Sequence, residues 1–227
     1  MAKILEMNHI SKSFGGSKAL SDVHFEMEEG EVHALLGENG AGKSTLMNIL
    51  TGVIPADSGK IIFMGKEYVT PTIKEMENAG ISFVHQELNV INDLSVADNI
   101  FLRKELKTKL GLIDEKEQIK KTKELFESLG VEMNPSEMVS NLKTSEKQLL
   151  EICKALYSDA KLLILDEPTT ALSNDEIDHL FGILNRLKKT GKSFVFISHK
   201  MPEIFAIADR YTVFRNGQFI SSGRIKD

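Results

Sequence analysis

Residues 37–45 decide the fold of this chain, and they read Gly-Glu-Asn-Gly-Ala-Gly-Lys-Ser-Thr. The stretch fits G-x-x-x-x-G-K-[ST], the pattern of a phosphate-binding loop. The apolar run 31–36 before it predicts a buried strand, and residues 44–50 after it have the apolar spacing of a helix. A glycine loop between strand and helix turns backbone N–H groups toward a bound anion. The alternative, a glycine turn without a ligand, gives the lysine and the hydroxyl no purpose.

Each position of this loop has a physical role in the prediction. Three glycines let the backbone curl, Lys43 would reach the β- and γ-phosphates, and the Ser44 hydroxyl would hold Mg²⁺. The predicted nucleotide-binding positions of the loop are Gly37, Asn39, Gly40, Ala41, Gly42, Lys43, Ser44 and Thr45.

Bulk composition limits the classes of function. The chain has 227 residues, 41% hydrophobic and 27% charged, which is enough for one large core or two lobes. A net charge of −5 gives no basic field for nucleic acid. The single cysteine, Cys153, excludes an intrachain disulfide and fits a reducing compartment. Because no apolar run approaches the length of a membrane span, a membrane role would need a partner.

The rest of the chain predicts a mixed α/β core interrupted by helices. Strand patterns fall at 4–10, 20–25, 32–36, 61–64, 81–84, 162–165 and 194–197, and a hairpin turns on Asn216-Gly217. The pattern from about 88 to 158 is helical. Its clearest helix, 115–129, carries the stripe Ile119, Thr122, Phe126 and Leu129 between a capping box at Asp114 and Glu117 and a terminal Gly130. A second stripe consists of Ile177, Leu180, Leu184 and Leu187.

An apolar strand that ends in two carboxylates accompanies the loop. The run Leu162-Leu-Ile-Leu-Asp166-Glu167 would deliver Asp166 to the phosphate site, where it can hold Mg²⁺ through water. Glu167 is then placed to orient or deprotonate an attacking water. The alternative is a strand followed by a solvated acidic turn.

The order of these motifs resembles that of the ATP-binding cassette ATPases over essentially the whole chain. Phe14 falls where the family stacks an aromatic ring on adenine, although a strand-end phenylalanine can simply be buried. Gln86 matches the family's glutamine loop, which senses Mg²⁺ and the attacking water, and His199 matches the switch histidine that contacts the γ-phosphate. Either residue, taken alone, could be structural.

The resemblance implies a fold, cofactors and a division of the chain. The expected fold is an α/β P-loop NTPase (RecA-like) core with an N-terminal antiparallel β subdomain and an inserted α-helical subdomain. Residues 1–227 would form one nucleotide-binding domain, with a core lobe at about 1–87 and 159–227 and a helical subdomain at about 88–158. The implied cofactors are ATP and Mg²⁺.

The chain departs from the family pattern at two places, the signature and the residue that usually follows the acidic pair as an aspartate. The signature Leu-Ser-Gly-Gly-Gln is replaced by Leu142, Lys143, Thr144, Ser145 and Glu146, which lose a serine and two glycines and add negative charge. Either the signature is degenerate, or Ser145 and Gln148 simply cap the next helix. The usual aspartate after the acidic pair is Ser173, which with Glu176 reads as a capping box.

Local phrases around Gln86, His199 and the phosphate loop resemble the first half of tandem ATPases of ribose- and galactose-type importers. The implied partners are a second nucleotide-binding domain in the same natural chain, a transmembrane permease and, indirectly, a sugar-binding protein; no nucleic acid is expected. Asp227 would then lie near the junction of the halves, and the protein would be peripheral on the cytoplasmic face of the membrane, soluble as this piece. The alternatives are a soluble ATPase acting on DNA or ribosomes and a regulatory nucleotide-binding module.

Overall fold

The computed structural model describes residues 2–225, so Asp227 lies outside the described residues. The ten strands of this part are β1 (Lys3–Phe14), β2 (Ser17–Glu28), β3 (Val32–Leu36), β4 (Ser58–Phe63), β5 (Lys66–Tyr68), β6 (Ile81–Val84), β7 (Leu162–Asp166), β8 (Ser193–Ile197), β9 (Arg210–Arg215) and β10 (Gln218–Arg224). Its seven α-helices are α1 (Lys43–Leu50), α2 (Ile73–Ala79), α3 (Val96–Phe101), α4 (Glu115–Leu129), α5 (Thr144–Tyr157), α6 (Asn174–Lys188) and α7 (Met201–Ile207). A short 3₁₀ helix, Val139–Asn141, precedes α5.

The strands form two sheets. A four-stranded sheet has the order β2-β1-β4-β5 and antiparallel pairing, and a six-stranded sheet has the order β10-β9-β3-β8-β7-β6. In the second sheet β3 pairs in parallel with β8 and β9, and β7 pairs in parallel with β8. Parallel strands buried on both faces are continuously apolar, as the fully buried run of β8 shows. The predicted fold class, a mixed α/β core with an antiparallel β subdomain and a helical insert, is confirmed.

Contacts divide the chain into two compact units. The α/β unit comprises Met1–Phe83, Ala160–Glu167 and Asn185–Asp227, and the helical unit comprises Val84–Asp159 and Pro168–Leu184. One apolar core of the α/β unit joins both sheets and α1 through large side chains such as Phe63, Met47 and Phe214. The predicted subdomain boundaries stay a prediction. The contacts group Pro168–Leu184, which the sequence analysis placed in the core lobe, with the helical unit.

The helical unit follows the sequence pattern closely in α4. This helix has the predicted bounds, the Asp114 carboxylate accepts the N–H of Glu117 at 3.1 Å, and Gly130 ends the helix in a left-handed conformation. The predicted apolar stripe is wrong at one position, because Gln118 is buried and Ile119 is only half-buried. Burial of Gln118 is possible because its Oε1 accepts the Leu106 N–H at 3.1 Å and its Nε2 lies 3.3 Å from Asp98.

Two predicted turns are also confirmed. Asn216 and Gly217 both have positive φ values, 51° and 70°, as a two-residue hairpin between β9 and β10 requires. Ser173 and Glu176 form the predicted capping box before α6: the Ser173 N–H donates to Glu176 Oε2 at 2.8 Å, and the Glu176 N–H donates to Ser173 Oγ at 3.4 Å.

Candidate functional site

The phosphate loop connects β3, in the interior of the six-stranded sheet, to the first turn of α1. Helix α1 begins at Lys43, and no described side chain caps its N-terminus. The Ser44 hydroxyl is exposed and Asn39 lies at the exposed tip of the loop, whereas Ala41 is buried. An uncapped helix N-terminus with free N–H groups and no acidic residue in its first turn is a favourable place for an anion.

Close packing fixes the shape of the loop at Gly42. Its φ value is +102°, and a Cβ atom there would lie 2.5 Å from Leu20 Cδ2 and 2.9 Å from the Ala19 carbonyl oxygen. At Gly40, by contrast, φ is +80° and a Cβ atom would meet no described atom within 4 Å. The predicted curl of the loop is therefore present, and only glycine fits it at Gly42.

Lys43 folds back over the mouth of the loop. Its Nζ donates to the carbonyl oxygen of Gly37 at 2.6 Å and to that of Glu38 at 3.0 Å. Burial lowers the pKa of Lys43 from its ordinary value of 10.5, while the nearby carboxylates of Asp166 and Glu167 act in the opposite direction. The ammonium group therefore lies within electrostatic reach of both acidic residues that the sequence predicts for the site.

Glu167 and His199 meet at the carboxyl ends of β7 and β8. His199 Nδ1 lies 3.0 Å from Glu167 Oε1, and the Glu167 N–H donates to the Ile197 carbonyl oxygen at 2.9 Å. Glu167 has a positive φ of 49°, which is uncommon for a residue other than glycine. The Glu167 side chain is 22% exposed and that of His199 is 70% exposed, so the pair borders solvent. The structure thus brings together Lys43, Asp166, Glu167 and His199 within the α/β unit.

Phe14 is the last residue of β1, and its side chain is 50% exposed. Nζ of Lys12 lies 5.5 Å from the centroid of the Phe14 ring. The neighbouring strand carries Ala19 and Leu20, which contact Gly42 of the phosphate loop. The aromatic ring is therefore available on the hairpin that supports the loop, and the alternative of a buried strand-end phenylalanine is wrong.

Gln86 and the altered signature belong to the helical unit. Gln86 is exposed in the segment that follows β6, and the role predicted for it stays a prediction. Leu142 follows the 3₁₀ helix and is half-buried, and Thr144 is the exposed first residue of α5.

Two carboxylates, those of Glu146 and Glu176, lie at the N-terminus of α5. The backbone N–H of Lys143, the N-cap residue, donates to Glu146 Oε2 at 2.7 Å. Hydrogen bonds from the Ser173 backbone and from the Ser145 and Ser173 hydroxyls lower the pKa of Glu176, which keeps this second carboxylate ionised beside the helix. The alternative that Ser145 and Gln148 cap α5 is wrong, because Glu146 makes the cap and Gln148 is buried.

The sequence did not predict the residues of β2 and of the β9–β10 turn that support the phosphate loop through hydrogen bonds. The Gly217 N–H donates to the Ala41 carbonyl oxygen at 3.1 Å, and the Ser21 N–H donates to the Gly217 carbonyl oxygen at 2.8 Å. These contacts join the hairpin turn, β2 and the phosphate loop. The Asn-Gly dipeptide signals the turn, but no local pattern signals its position against the loop.

Among the described residues no helix is both long and apolar enough to cross a bilayer.

Comparison with known proteins identifies the family. Residues 20–170 match the ABC transporter family. The chain is 49% identical over 223 residues to the ribose import ATP-binding protein RbsA of Lacticaseibacillus paracasei, covering 98% of this chain and 45% of that protein. It is 45% identical over 223 residues to the protein of the same name from Bacillus subtilis, with the same two coverages. The chain therefore spans about 45% of the length of the curated relatives that it matches.

Solved structures agree with this assignment. An ATP-binding cassette of an ABC transporter in its ADP conformation superposes with a TM-score of 0.88 at 28% identity, covering 100% of this chain and 94% of that one. A nucleotide-free cassette from an ABC transporter gives a TM-score of 0.87 at 28% identity, covering 98% of this chain and 92% of that one. The chain belongs to the ABC transporter family, and its fold is that of the family's ATP-binding cassettes.

Proposed function

We propose that this chain, paired with a second nucleotide-binding domain, binds and hydrolyses ATP to energise a membrane importer for a monosaccharide of the ribose or galactose type. ATP binding accords with membership of the ABC transporter family. The observation that carries the proposal of hydrolysis is the contact of His199 with Glu167. Lys43 lies nearby, and the carboxylates of Asp166 and Glu167 act to raise the pKa of its ammonium group. A site for binding alone would not need a carboxylate and an imidazole at this edge of the sheet.

The phosphate loop would hold the polyphosphate. Lys43 would exchange the carbonyl oxygens of Gly37 and Glu38 for β- and γ-phosphate oxygens, because a charged acceptor makes the stronger hydrogen bond. The free N–H groups at the start of α1 would bind phosphate oxygens. Phe14, exposed on the adjacent hairpin, would stack on the adenine ring.

The hydrolytic step would use the Glu167–His199 pair. Glu167 would accept a proton from the attacking water, or orient that water, from its position at the end of β7. His199 would place an imidazole N–H near the γ-phosphate while its Nδ1 stays directed at Glu167. The two residues follow neighbouring strands of one sheet, whose last pair, Asp166 with Ile197, brings the ends of β7 and β8 side by side.

The oxygen donors near Lys43 fit Mg²⁺. The Ser44 hydroxyl is exposed at the start of α1, and the Asp166 carboxylate is close enough to influence the pKa of the lysine. Hydroxyl, carboxylate and phosphate oxygens are the ligands that Mg²⁺ prefers, so Ser44 and Asp166 would hold it. When bound, Mg²⁺ would neutralise charge on the transferred phosphoryl group. The predicted contribution of Gln86 belongs to the same proposal.

The importer assignment rests on the relatives. Proteins named for ribose import are 45–49% identical to nearly the whole chain, and the chain covers only 45% of their length. We propose that the natural protein is a tandem of two such domains, with this chain corresponding to the first. Its partners would be the second nucleotide-binding domain, a transmembrane permease and a sugar-binding protein, and the permease would hold it at the cytoplasmic face of the membrane.

The altered signature points to unequal sites in such a tandem. Glu146 accepts the Lys143 N–H at the start of α5, and Glu176 adds a second carboxylate nearby, so a phosphate there would meet like charge. The composite site that uses this signature would therefore be impaired, whereas the site built on Lys43 and Glu167 would be sound. In the full-length protein, Lys143→Ser with Thr144→Gly should barely raise turnover, and a large rise would contradict this asymmetry.

The decisive experiment is steady-state ATP hydrolysis by this chain alone, with Glu167→Gln as the blank and nucleotide binding measured in parallel. We expect binding with little turnover, because the chain's own signature cannot complete a homodimeric site. Turnover that rises with protein concentration would show that residues 143–146 work in trans, and the chain would then be a self-sufficient homodimeric subunit. Absence of ATP binding would overturn the proposal itself.

A second candidate function is a regulatory module that binds nucleotide with little turnover, and the self-capped α5 favours it for the isolated chain. Hydrolysis by the full-length protein that is lost in Glu167→Gln would exclude this candidate. An ATPase acting on DNA or ribosomes is not favoured, because the relatives are named as importers and the chain has a net charge of −5.

A further inference from the structure

A cluster of two imidazoles and one carboxylate lies on the antiparallel sheet, outside the nucleotide site. It consists of His9 on β1 and of Asp22 and His24 on β2. One ligand atom from each residue can be chosen so that all three atoms lie within 4.8 Å of one another. Among residues 2–225 this is the one group of three or more such side chains with that geometry. We propose that these three residues form a binding site for Zn²⁺ or a similar borderline transition metal.

The backbone of the β1–β2 ladder brings the three side chains together. The register shifts between Met7 and Ile10 and again between Ile10 and Lys12, so that His9 lies in one irregularity and Asp22 in the other. Both residues have positive φ values, 56° and 50°. A bulge re-aims the side chain that it carries. Here the two bulges lie on opposite strands, one on either side of the Ile10–Val23 pair, and the side chains of His9 and Asp22 meet beside that pair.

The three side chains are close enough to bind one metal ion after small side-chain rotations. His9 Nδ1 lies 2.8 Å from Asp22 Oδ1, and the rings of His9 and His24 meet edge to face with centroids 4.4 Å apart. A tetrahedral Zn²⁺ with ligand bonds of about 2.0–2.1 Å separates its ligand atoms by about 3.3 Å. The side chains of His9 and Asp22 are 70% and 67% exposed, so small rotations can bring the ligand atoms to that separation.

The donor set determines the class of metal. Two nitrogen ligands and one carboxylate oxygen suit Zn²⁺, and three protein ligands leave a position for water. The same set is poor for Mg²⁺, which prefers oxygen ligands in octahedral geometry. The site is therefore distinct in chemistry from the Mg²⁺ position proposed at Ser44 and Asp166. It would join β1 to β2 in the hairpin whose far end carries Phe14.

The chain contains a matched control for this site. His199 has the same 70% side-chain exposure as His9 and also directs its Nδ1 at a carboxylate, 3.0 Å from Glu167 Oε1. It belongs to no group of three potential ligands among the described residues. If a histidine–carboxylate pair were sufficient, loss of His199 would also reduce metal binding, whereas a three-ligand site depends on His9 and not on His199.

The test is Zn²⁺ binding to the tag-free chain, measured by competition with a chromogenic chelator, with Co²⁺ absorption as a second readout of coordination. We expect one equivalent of Zn²⁺ to bind. His9→Ala and His24→Ala should each weaken it on the order of tenfold or more, Asp22→Asn should weaken it too, and His199→Ala should leave it unchanged. Added Zn²⁺ should raise the melting temperature of the unsubstituted chain but not of His24→Ala.

Three results would overturn the proposal: no stoichiometric Zn²⁺ binding, an unchanged affinity for Zn²⁺ in His9→Ala or His24→Ala relative to the unsubstituted chain, or loss of binding in His199→Ala. Because His9 and Asp22 are exposed, the variants should fold, and far-UV circular dichroism checks this directly. The outcome is independent of the proposed ATPase function, since nucleotide binding is measured on the same samples without Zn²⁺.

Discussion

Replacing Gly42 by alanine should destabilise the α/β unit more than the same replacement at Gly40, two positions earlier in the loop. Both glycines have positive φ values, so each alanine would adopt a strained backbone, at a cost of about 1–2 kcal/mol. Only at Gly42 would the new Cβ also collide, with the buried Leu20 side chain at 2.5 Å and with the Ala19 carbonyl oxygen at 2.9 Å. Overpacking of this kind adds about 1–3 kcal/mol, because a backbone atom must move.

We therefore expect a loss of about 1–2 kcal/mol for Gly40→Ala and of about 2–5 kcal/mol for Gly42→Ala. Urea unfolding followed by far-UV circular dichroism measures the free energy of unfolding of each variant, with the slope of the transition as a check that the mechanism is unchanged. Equal losses, or a larger loss at Gly40, would refute the argument that β2 packing, and not φ alone, requires glycine at Gly42.

Three further predictions concern other parts of the chain. Asn99→Ala should lower the free energy of unfolding by about 3 kcal/mol, because the buried amide makes three hydrogen bonds to the backbone of Ile91 and Ser95 at about 1 kcal/mol each. Urea unfolding measures this loss, and a loss well under about 1 kcal/mol would contradict the prediction. Burial raises the pKa of the Cys153 thiol to about 12. A thiol reagent at about pH 8 should therefore label the chain only in denaturant, and fast labelling of the folded chain would contradict this prediction. Lys43→Ala should abolish tight ATP binding in a titration with a fluorescent ATP analogue, and retained affinity would argue against the phosphate-loop assignment.

Local patterns were sufficient to predict the parts of the fold that local physics determines. Helix α4 with its caps at Asp114 and Gly130 and the Asn216–Gly217 turn depend on neighbours within a few residues, whereas only the glycine pattern of the phosphate loop is local. Capping side chains and left-handed residues satisfy backbone groups of their own turn, so their signals survive in a single sequence.

The features that the sequence did not predict all depend on distant partners. Gln118 is buried because Leu106 and Asp98 satisfy its amide, which no helical periodicity can show. The two successive bulges at His9 and Asp22 arise from the pairing of β1 with β2, and strand periodicity predicts only an ordinary ladder there. For the same reason, residue types and motif order indicated Glu167 and His199 as site residues, but their 3.0 Å contact required the β7–β8 register.

The proposal of one strong and one weak phosphate site rests on a contrast between the N-termini of α1 and α5. Each helix begins with unsatisfied N–H groups and the positive end of its dipole, so each attracts an anion. At α1 no described side chain supplies that anion, and Lys43 adds a positive charge. At α5 the Glu146 carboxylate already accepts the Lys143 N–H, and Glu176 places further negative charge beside Ser145. A phosphate at α5 would therefore approach two carboxylates, whereas a phosphate at α1 would approach an ammonium group, and the proposed inequality of the two sites follows from this contrast of charge.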